Sequence, residues 1–463
     1  MVCLNTKNLN ADELVKLDKE HFWHHLTQHK VFETKDPMIV TEGEGLIIKD
    51  IRGKEYIDAT SGGVWCVNVG YGRESIAKAV YEQLRTMAYY AGSAGNVPAI
   101  LLAEKITSLM PGMSKVYYSN SGSEANEKAF KMVRQGNRKR FPGKEKIKIL
   151  YRDRDYHGTT LAALSATGQE QRKENYGPFL DGFKKVPHAC CYRCPFGKEY
   201  PNCEIECAKA LEEVIIKEDP DTVGAYIVEP ITAGGGVIMP VPEYYKIVQE
   251  ICRKYDVLLI MDEVVNGFGR TGKWFGYQHY DVEPDIVTMA KGMASAYAPL
   301  SATVTKQDVF DIFLDDPSKP MDYFRDISTY GGCAGSFAAA LESVRIMEEE
   351  KLCENSAKMG EYFIGELKEL SSLPVVGDVR GKGLFAGIEL VEDKTSKTPL
   401  EEGKVGKVIA DIAAEGVLVG RTNRSFNNNL NNTLAFAPAL VADKAVLDKI
   451  VNAVRIGLEK ACE

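Results

Sequence analysis

The stretch that decides the fold runs from Val257 to Lys291 and contains two short apolar runs, each followed by a charged residue. The first, Val257-Leu-Leu-Ile-Met261, leads into Asp262, and the second, Ile286-Val-Thr-Met-Ala290, leads into Lys291. Continuous apolar runs of this length predict strands buried on both faces, as in parallel sheets covered by helices. Asp262 and Lys291 are therefore predicted to lie at neighbouring carboxyl ends of a sheet, where open α/β folds bind ligands.

A lysine and an aspartate at such a rim allow two interpretations. A buried ammonium is costly unless it is neutralised, paired or used covalently. A covalent bond between Lys291 and an aldehyde removes that cost, and a carboxylate one strand away suits pyridoxal phosphate, whose ring nitrogen must stay protonated. The alternative is a structural ion pair between Lys291 and Asp262. The pair alone does not decide between them.

Composition excludes several classes of protein. The chain has 463 residues, which suggests two or three lobes, and its 44% apolar and 26% charged residues are typical of globular proteins. A formal net charge of −8 argues against nucleic acid and anionic membranes as main partners. The N-terminus is polar, and no apolar run approaches the roughly 18 residues of a membrane span, so a cytoplasmic location is expected.

A second candidate site follows the predicted strand Lys115-Val-Tyr-Tyr118. Ser121 and Glu124 have the spacing of a capping box, and Gly122 allows a ligand to approach the backbone closely. A strand, a turn of small residues and a capped helix start form an anion site, because free N–H groups and the helix dipole favour phosphate there. An ordinary helix cap is the alternative.

Two more predicted strands end in polar residues. Ile147-Lys-Ile-Leu-Tyr151 precedes Tyr156-His-Gly158, in which the glycine permits a sharp turn that would aim Tyr156 at a flat ligand. Val223-Gly-Ala-Tyr-Ile-Val228 precedes Glu229, and the following proline ends the strand there. Helices alternate with these strands, as in a mostly parallel sheet.

Two clusters of potential metal ligands allow more than one interpretation. Residues 11–30 are predicted to be helical and contain four of the seven histidines, but without an accompanying cluster of carboxylates or cysteines a surface or interface helix is favoured over a metal site. A later insertion contains Cys190, Cys191, Cys194, Cys203 and Cys207. Their two pairs could supply four thiolates to zinc, yet the interval between the pairs is short, which favours ordinary loop cysteines and no metal.

Taken together, the motifs resemble those of class III, or omega-type, pyridoxal phosphate-dependent aminotransferases, in family order over about residues 20 to 460. The motifs are Ser121-Gly-Ser-Glu-Ala125, Tyr156-His-Gly158, Glu229-Pro230, Asp262-Glu-Val264, Gly267-Phe-Gly-Arg-Thr-Gly272 and Ala290-Lys-Gly292. The resemblance implies fold type I, with a mostly parallel seven-stranded sheet in a large domain over 76–339. A smaller α+β domain would combine an N-terminal segment, 1–75, with a C-terminal segment, 340–463.

The resemblance also implies roles for individual residues. Lys291 would hold the cofactor covalently and move a proton, and Asp262 would hold the proton of the ring nitrogen. Glu229 would lie near cofactor and substrate as a further catalytic residue. The cofactor would also contact Ser121, Gly122, Ser123, Tyr156, His157, Val264 and, across a dimer interface, Thr329. The oligomer would thus be a homodimer or homotetramer.

The expected substrates come from the same resemblance. The segment from Trp65 to Arg73 is similar to that of members that use pyruvate as amino acceptor, and the first expectation for the donor is taurine. Trp65 would wall the substrate pocket, and Arg421 or Arg424 would bind the substrate acid group. Beta-alanine, another omega-amino acid or a diamine is the alternative donor. A silent protein of this fold whose cysteine insertion binds metal or a partner is the alternative from another class.

Overall fold

A computed structural model describes residues 10–314, 316–424 and 431–463, with the backbone alone for 423, 424 and 431. The helices are α1 (Ala11–His21), α2 (Glu74–Thr86), α3 (Val97–Ser108), α4 (Gly122–Arg140), α5 (Leu161–Ser165), α6 (Glu206–Lys217), α7 (Tyr244–Lys254), α8 (Gln307–Asp311), α9 (Ala334–Glu349), α10 (Leu352–Glu369), α11 (Glu402–Ala414) and α12 (Lys444–Lys460). The strands are β1 (Val40–Glu44), β2 (Ile47–Asp50), β3 (Glu55–Asp58), β4 (Lys115–Ser119), β5 (Lys148–Arg152), β6 (Phe183–Val186), β7 (Val223–Val228), β8 (Leu258–Asp262), β9 (Ile286–Met289), β10 (Ser301–Thr305), β11 (Val376–Gly381), β12 (Ala386–Asp393), β13 (Thr398–Pro399), β14 (Val417–Leu418), β15 (Gly420–Arg424) and β16 (Asn431–Phe436).

Seven strands form the central sheet in the order β4-β10-β9-β8-β7-β5-β6. The neighbours from β9 to β6 run parallel, whereas β10 is antiparallel to both β9 and β4. Every residue of β7, β8 and β9 is buried, as expected for strands covered by helices on both faces. The predicted mostly parallel seven-stranded α/β sheet is confirmed.

The N-terminal and C-terminal parts of the chain share a second sheet. β14, from the C-terminal part, pairs in parallel with β3. β3 also pairs with β2, and β2 pairs with β1, both in the antiparallel direction. A separate antiparallel sheet has the order β11-β12-β16-β15, with β13 paired to β12. The two ends of the chain are therefore joined by hydrogen bonds, while the boundaries at 75 and 339 stay predictions.

Arg270, in the glycine-rich segment after β8, ties these parts together. Its guanidinium is fully buried and donates to the carbonyl oxygens of Leu384 at 2.9 Å and Pro438 at 2.6 Å. The same side chain donates to Asn68 Oδ1 at 2.8 Å and Ser61 Oγ at 3.2 Å. One buried cation thus connects the large sheet to both terminal segments, although burial lowers its pKa to about 9.

The N-terminal helix is shorter than the sequence predicts. α1 ends at His21, and the backbone is extended at Phe22. The N–H of His24 donates to Nε2 of His29 at 2.9 Å, and His24 Nε2 lies 2.8 Å from Asp18 Oδ1. The side chains of His24 and His29 therefore form hydrogen bonds with a carboxylate and a backbone N–H in a turn. These bonds take the place of the helical hydrogen bonds that a helix continuing to residue 30 would need. In the described part of the chain, no helix is long and apolar enough to cross a membrane.

Candidate active site

The carboxyl ends of the parallel strands open into a cavity of about 450 Å³. β8 ends at Asp262, and the neighbouring strand β9 leads directly to Lys291. The structure brings nine residues named from the sequence together in the lining of this cavity: Ser121, Gly122, Ser123, Tyr156, His157, Glu229, Asp262, Val264 and Lys291.

Asp262 is held in place by hydrogen bonds to both carboxylate oxygens. Oδ2 accepts from Asn126 Nδ2 at 2.8 Å and lies 2.7 Å from His157 Nδ1, and Oδ1 accepts from the N–H of Val264 at 3.0 Å. Asn126 is itself fixed, because its Oδ1 accepts from Thr288 Oγ1 at 2.7 Å. The carboxylate therefore has one orientation, toward the cavity, and needs no reorganisation to bind a cation there.

Lys291 has a backbone conformation that few residues other than glycine adopt. Its φ is +40°, in the left-handed region, where a side chain is strained. Burial lowers the pKa of its amine, while the Asp262 carboxylate acts in the opposite direction. A neutral amine is a nucleophile and a proton acceptor, so this environment favours covalent chemistry and proton transfer over a permanent charge.

The start of α4 supplies an anion site in the same cavity. Ser121 Oγ accepts the N–H of Glu124 at 3.2 Å and so caps the helix. The N–H groups of Gly122 and Ser123, in the first turn, have no intrahelical partners. A Cβ built on Gly122 would lie 2.9 Å from the methyl groups of Val264, so only glycine lets the backbone lie this close to the neighbouring wall. These groups fit a phosphate.

Tyr156 and Glu229 form the wall between β5 and β7. Glu229 Oε1 accepts the N–H of Tyr156 at 2.8 Å, and Oε2 accepts the N–H of Ala233 at 3.0 Å. Burial, together with the Asp155 and Asp262 carboxylates, raises the pKa of Glu229 well above its usual range. The visible contacts of Glu229 position the backbone that carries the Tyr156 ring.

The cavity fits pyridoxal phosphate at three separate points. The start of α4 at Gly122 offers N–H donors for the phosphate, and the fixed Asp262 carboxylate offers an acceptor for a protonated ring nitrogen. Lys291 offers the amine that an aldehyde needs. In addition, Nε2 of His157 is buried without a hydrogen-bond partner among the described residues, beside the carboxylate that would bind the ring.

Four residues predicted for the site are not among those that line the cavity. Thr329 is exposed on the short helix Thr329–Gly332. Trp65 packs edge to face on Phe385, with ring centroids 5.5 Å apart. Arg421 pairs with Glu402 at 3.4 Å. The side chain of Arg424 lies outside the described part of the chain.

Asn126 and Thr288 are site residues that the sequence analysis missed. Asn126 lies on the buried face of α4 and supports Asp262, which is 136 residues away in sequence. Thr288 lies in β9 and holds the Asn126 amide. The available signal was the polarity of these two residues at positions where a buried helix face and a buried strand favour apolar side chains.

The cysteine insertion forms a separate, smaller feature. The five cysteines from Cys190 to Cys207 line a cavity of about 20 Å³. Burial and the neighbouring thiols raise the pKa of Cys191, and they raise that of Cys207 to about 12. No group of three or more ligating side chains with a geometry suited to a metal is found in the described residues.

Comparison with known proteins agrees with this geometry. The pattern of the aminotransferase class-III family matches residues 30–456, and the chain belongs to this family, whose members depend on pyridoxal phosphate. It is 54% identical to a taurine–pyruvate aminotransferase of Rhodobacter capsulatus, with 97% of this chain and 98% of that protein covered. It is 56% identical to a taurine–pyruvate aminotransferase of Bilophila wadsworthia, with 97% and 96% covered. An aminotransferase of Bacillus anthracis has the same fold, with a TM-score of 0.93, 41% identity and 99% and 100% of the two chains covered.

Proposed function

We propose that this enzyme transfers the amino group of taurine to pyruvate, giving sulfoacetaldehyde and alanine. The observation that carries the proposal is the joint exposure of Lys291, Asp262 and the α4 start in one cavity. The choice of donor is supported by the taurine–pyruvate activity in the names of the two bacterial relatives, which match over nearly their whole length.

The chain's own residues would divide the work as follows. Gly122 and Ser123 would bind the phosphate through their backbone N–H groups, and Tyr156 would pack on the ring. When bound, pyridoxal phosphate supplies a protonated ring that accepts electrons from the substrate carbon next to the amine. Asp262 would keep the proton on the ring nitrogen. The Lys291 amine would take a proton from the substrate carbon that bears the amino group, acting as general base. It would then release that proton again, acting as general acid.

The acid group of the substrate requires a cation as well. We assign this role to an arginine after β14, with Arg421 as the described candidate. Its pairing with Glu402 is half-exposed, with 39% and 41% of the side chains accessible, so breaking the pair costs little. Arg421 would then be free to turn toward a substrate carboxylate, which a guanidinium binds through two parallel hydrogen bonds.

A homodimer or larger assembly in the cytoplasm completes the proposal. Thr329 lies between two large exposed side chains, Ile327 and Tyr330, whose accessible fractions are 74% and 67%. A second copy of the chain packed on this segment would bury both side chains. The ten described cysteines are free thiols, which fits a reducing compartment. Light scattering of the holoenzyme would report the assembly, and a mixture of K291A and T329A subunits should regain activity that neither has alone.

A donor panel tests the proposed reaction. The purified holoenzyme would be given pyruvate together with taurine, beta-alanine, gamma-aminobutyrate or putrescine, and alanine and the carbonyl product would be measured. Taurine should give the highest kcat/KM and should yield sulfoacetaldehyde in equal amount to alanine. A clear preference for beta-alanine or a diamine would keep the aminotransferase and reject taurine. Alanine formation without a matching carbonyl product would reject transamination.

A further inference from the structure

Arg172 brings a second cation to the edge of the cavity. It lies in the short helix Glu170–Arg172, and its guanidinium carbon is 4.7 Å from the centroid of the Tyr156 ring. Tyr156 lines the cavity, whereas Arg172 does not. The guanidinium therefore lies beside an aromatic wall of the site, at a distance typical of cation–π contact.

The guanidinium of Arg172 is held by one hydrogen bond, and most of its N–H donors have no partner among the described residues. Its Nε donates to Oε1 of Gln169 at 2.7 Å, and Gln169 is 4% exposed, with its own Nε2 donating to the carbonyl of Arg154 at 3.0 Å. An arginine has five N–H donors. Among the residues that the structure describes, neither a carboxylate nor another acceptor takes the remaining donors of Arg172.

The two carboxylates that line the cavity have partners other than Arg172. The carboxylate of Glu229 accepts from two backbone N–H groups, and that of Asp262 from Asn126, His157 and the backbone. Burial lowers the pKa of the Lys291 amine, and the charge of Arg172 adds to this effect. The charge of Arg172 thus acts on the Lys291 amine inside the cavity.

We propose that Arg172 binds the acid group of the amino donor, a sulfonate or carboxylate on the carbon next to the one that bears the amine. The inference rests on the proposed function, because that function sets the donor class. In alanine the carboxylate is attached to the amine-bearing carbon itself, so the two substrates place their acid groups at different distances from Lys291. A cation separate from Arg421 lets one cavity hold both acids. A guanidinium fork also suits the three oxygens of a sulfonate.

The test compares acidic donors with a neutral donor of similar size. Rapid mixing of the holoenzyme with taurine, beta-alanine or n-propylamine, without pyruvate, gives kcat/KM for each first half-reaction from the cofactor's absorption. In R172Q the ratio of acidic to neutral donor should fall by about 10- to 100-fold, the range for loss of a charged hydrogen bond. R172K should recover part of the ratio. R253Q, which changes a surface arginine paired with Glu283, should match the wild type.

Several results would overturn the inference. One is an equal loss with acidic and neutral donors in R172Q, which would mean that Arg172 only supports Tyr156. Weaker cofactor binding as the sole change would assign Arg172 to the phosphate, and an unchanged ratio would leave it no role. A wild-type enzyme that ignores taurine but uses beta-alanine would reject the proposed donor instead, and the beta-alanine to propylamine ratio would still decide the role of Arg172.

Discussion

The side chains proposed to hold the cofactor and those proposed to bind the substrate acids differ in how they are fixed. At the cofactor end, the Asp262 carboxylate accepts hydrogen bonds from Asn126 and the backbone and contacts His157, all within a buried shell. At the proposed substrate end, whose two arginines lie outside the lining of the cavity, Arg172 is held by one side-chain hydrogen bond and Arg421 by one half-exposed ion pair. The proposed cofactor end is thus preorganised by the sheet, whereas the proposed substrate end relies on a short helix and an edge strand, where each arginine has one described hydrogen bond or ion pair.

This difference suggests that the firmly held residues serve the reaction itself and that the loosely held arginines serve the choice of substrate. Preorganised charges lower a barrier most when nothing has to move during the reaction, which is the condition at Asp262. Loosely held cations bind ligands less rigidly, but they allow one site to accept two different acids in turn. Changes at the cofactor end should therefore affect all substrates alike, and changes at the substrate end should affect them unequally.

The largest expected effect comes from Lys291→Ala. The change removes the amine that is proposed both to hold the cofactor covalently and to move the substrate proton. Proton transfer by a positioned side chain contributes about 10²- to 10⁴-fold, so kcat should fall by at least about 10⁴-fold once covalent binding is also lost. Steady-state alanine formation measures the loss. All donors should be affected equally, and a loss confined to taurine would contradict the contrast between the ends.

Asp262→Asn should have the second largest effect. The amide keeps the shape of the side chain but cannot hold a positive ring nitrogen, and loss of such a preorganised group costs about 10²- to 10³-fold in kcat. The control is Asp285→Asn, because Asp285 is a partly buried carboxylate that accepts the N–H of Leu259 at 2.8 Å, at the opposite end of β8. That variant should lose stability but keep kcat. Equal kcat values for the two variants would refute the role of Asp262.

Arg421→Ala should have a smaller and selective effect. Loss of one charged hydrogen-bonding partner should lower kcat/KM for pyruvate by about 10-fold or more, chiefly through KM. Glu402→Gln is the control, because it releases Arg421 from its only described ion pair and should leave pyruvate kinetics close to the wild type. Unchanged activity of Arg421→Ala with both taurine and pyruvate would show that another residue binds the acid group.

The smallest expected effect is a pH dependence of stability from Glu263, the residue that follows Asp262. Burial raises its pKa from 4.5 to about 8, against the pull of the N–H groups of Gly276 and Tyr277. The folded state then binds this proton more tightly than the unfolded chain. This contribution to the free energy of unfolding is present in full below about pH 4.5, declines as pH rises from there, and is lost once pH has passed about 8.

Thermal unfolding of the holoenzyme across this pH range measures the effect. Tm should fall by a few degrees at most with rising pH, since the chain is long and its unfolding entropy is large. Glu263→Gln, which cannot ionise, should flatten the Glu263 part of the profile. A wild-type Tm that rises over the same range, with the same slope in the variant, would contradict the assignment.

The cofactor end could be predicted from the sequence because its residues are marked by local patterns. Apolar runs that end at Asp262 and Lys291, and a capped helix start at Gly122, each follow from spacing alone. Asn126 could not be identified, because its role depends on a contact with a residue 136 positions away. Arg172 was missed for a similar reason, since only the folded chain places its guanidinium beside the Tyr156 ring.

The antiparallel strand β10 and the early end of α1 were also beyond the sequence patterns. A fully buried strand looks the same in either direction, because periodicity carries no information on chain orientation. The end of α1 depends on hydrogen bonds of His24 with His29 and Asp18. The direction of β10 and the end of α1 are both decided by tertiary contacts, because the local sequence is compatible with more than one structure.

The most direct test of the account is the absorption spectrum of the holoenzyme during the two half-reactions. Taurine alone should remove the visible band of the bound cofactor, and pyruvate added afterwards should restore it, with one alanine formed per active site. That result requires Lys291, the cofactor and both substrates to act in one cavity. A band that ignores taurine but responds to another amine would contradict the donor, and the absence of a band after pyridoxal phosphate is supplied would contradict the central claim.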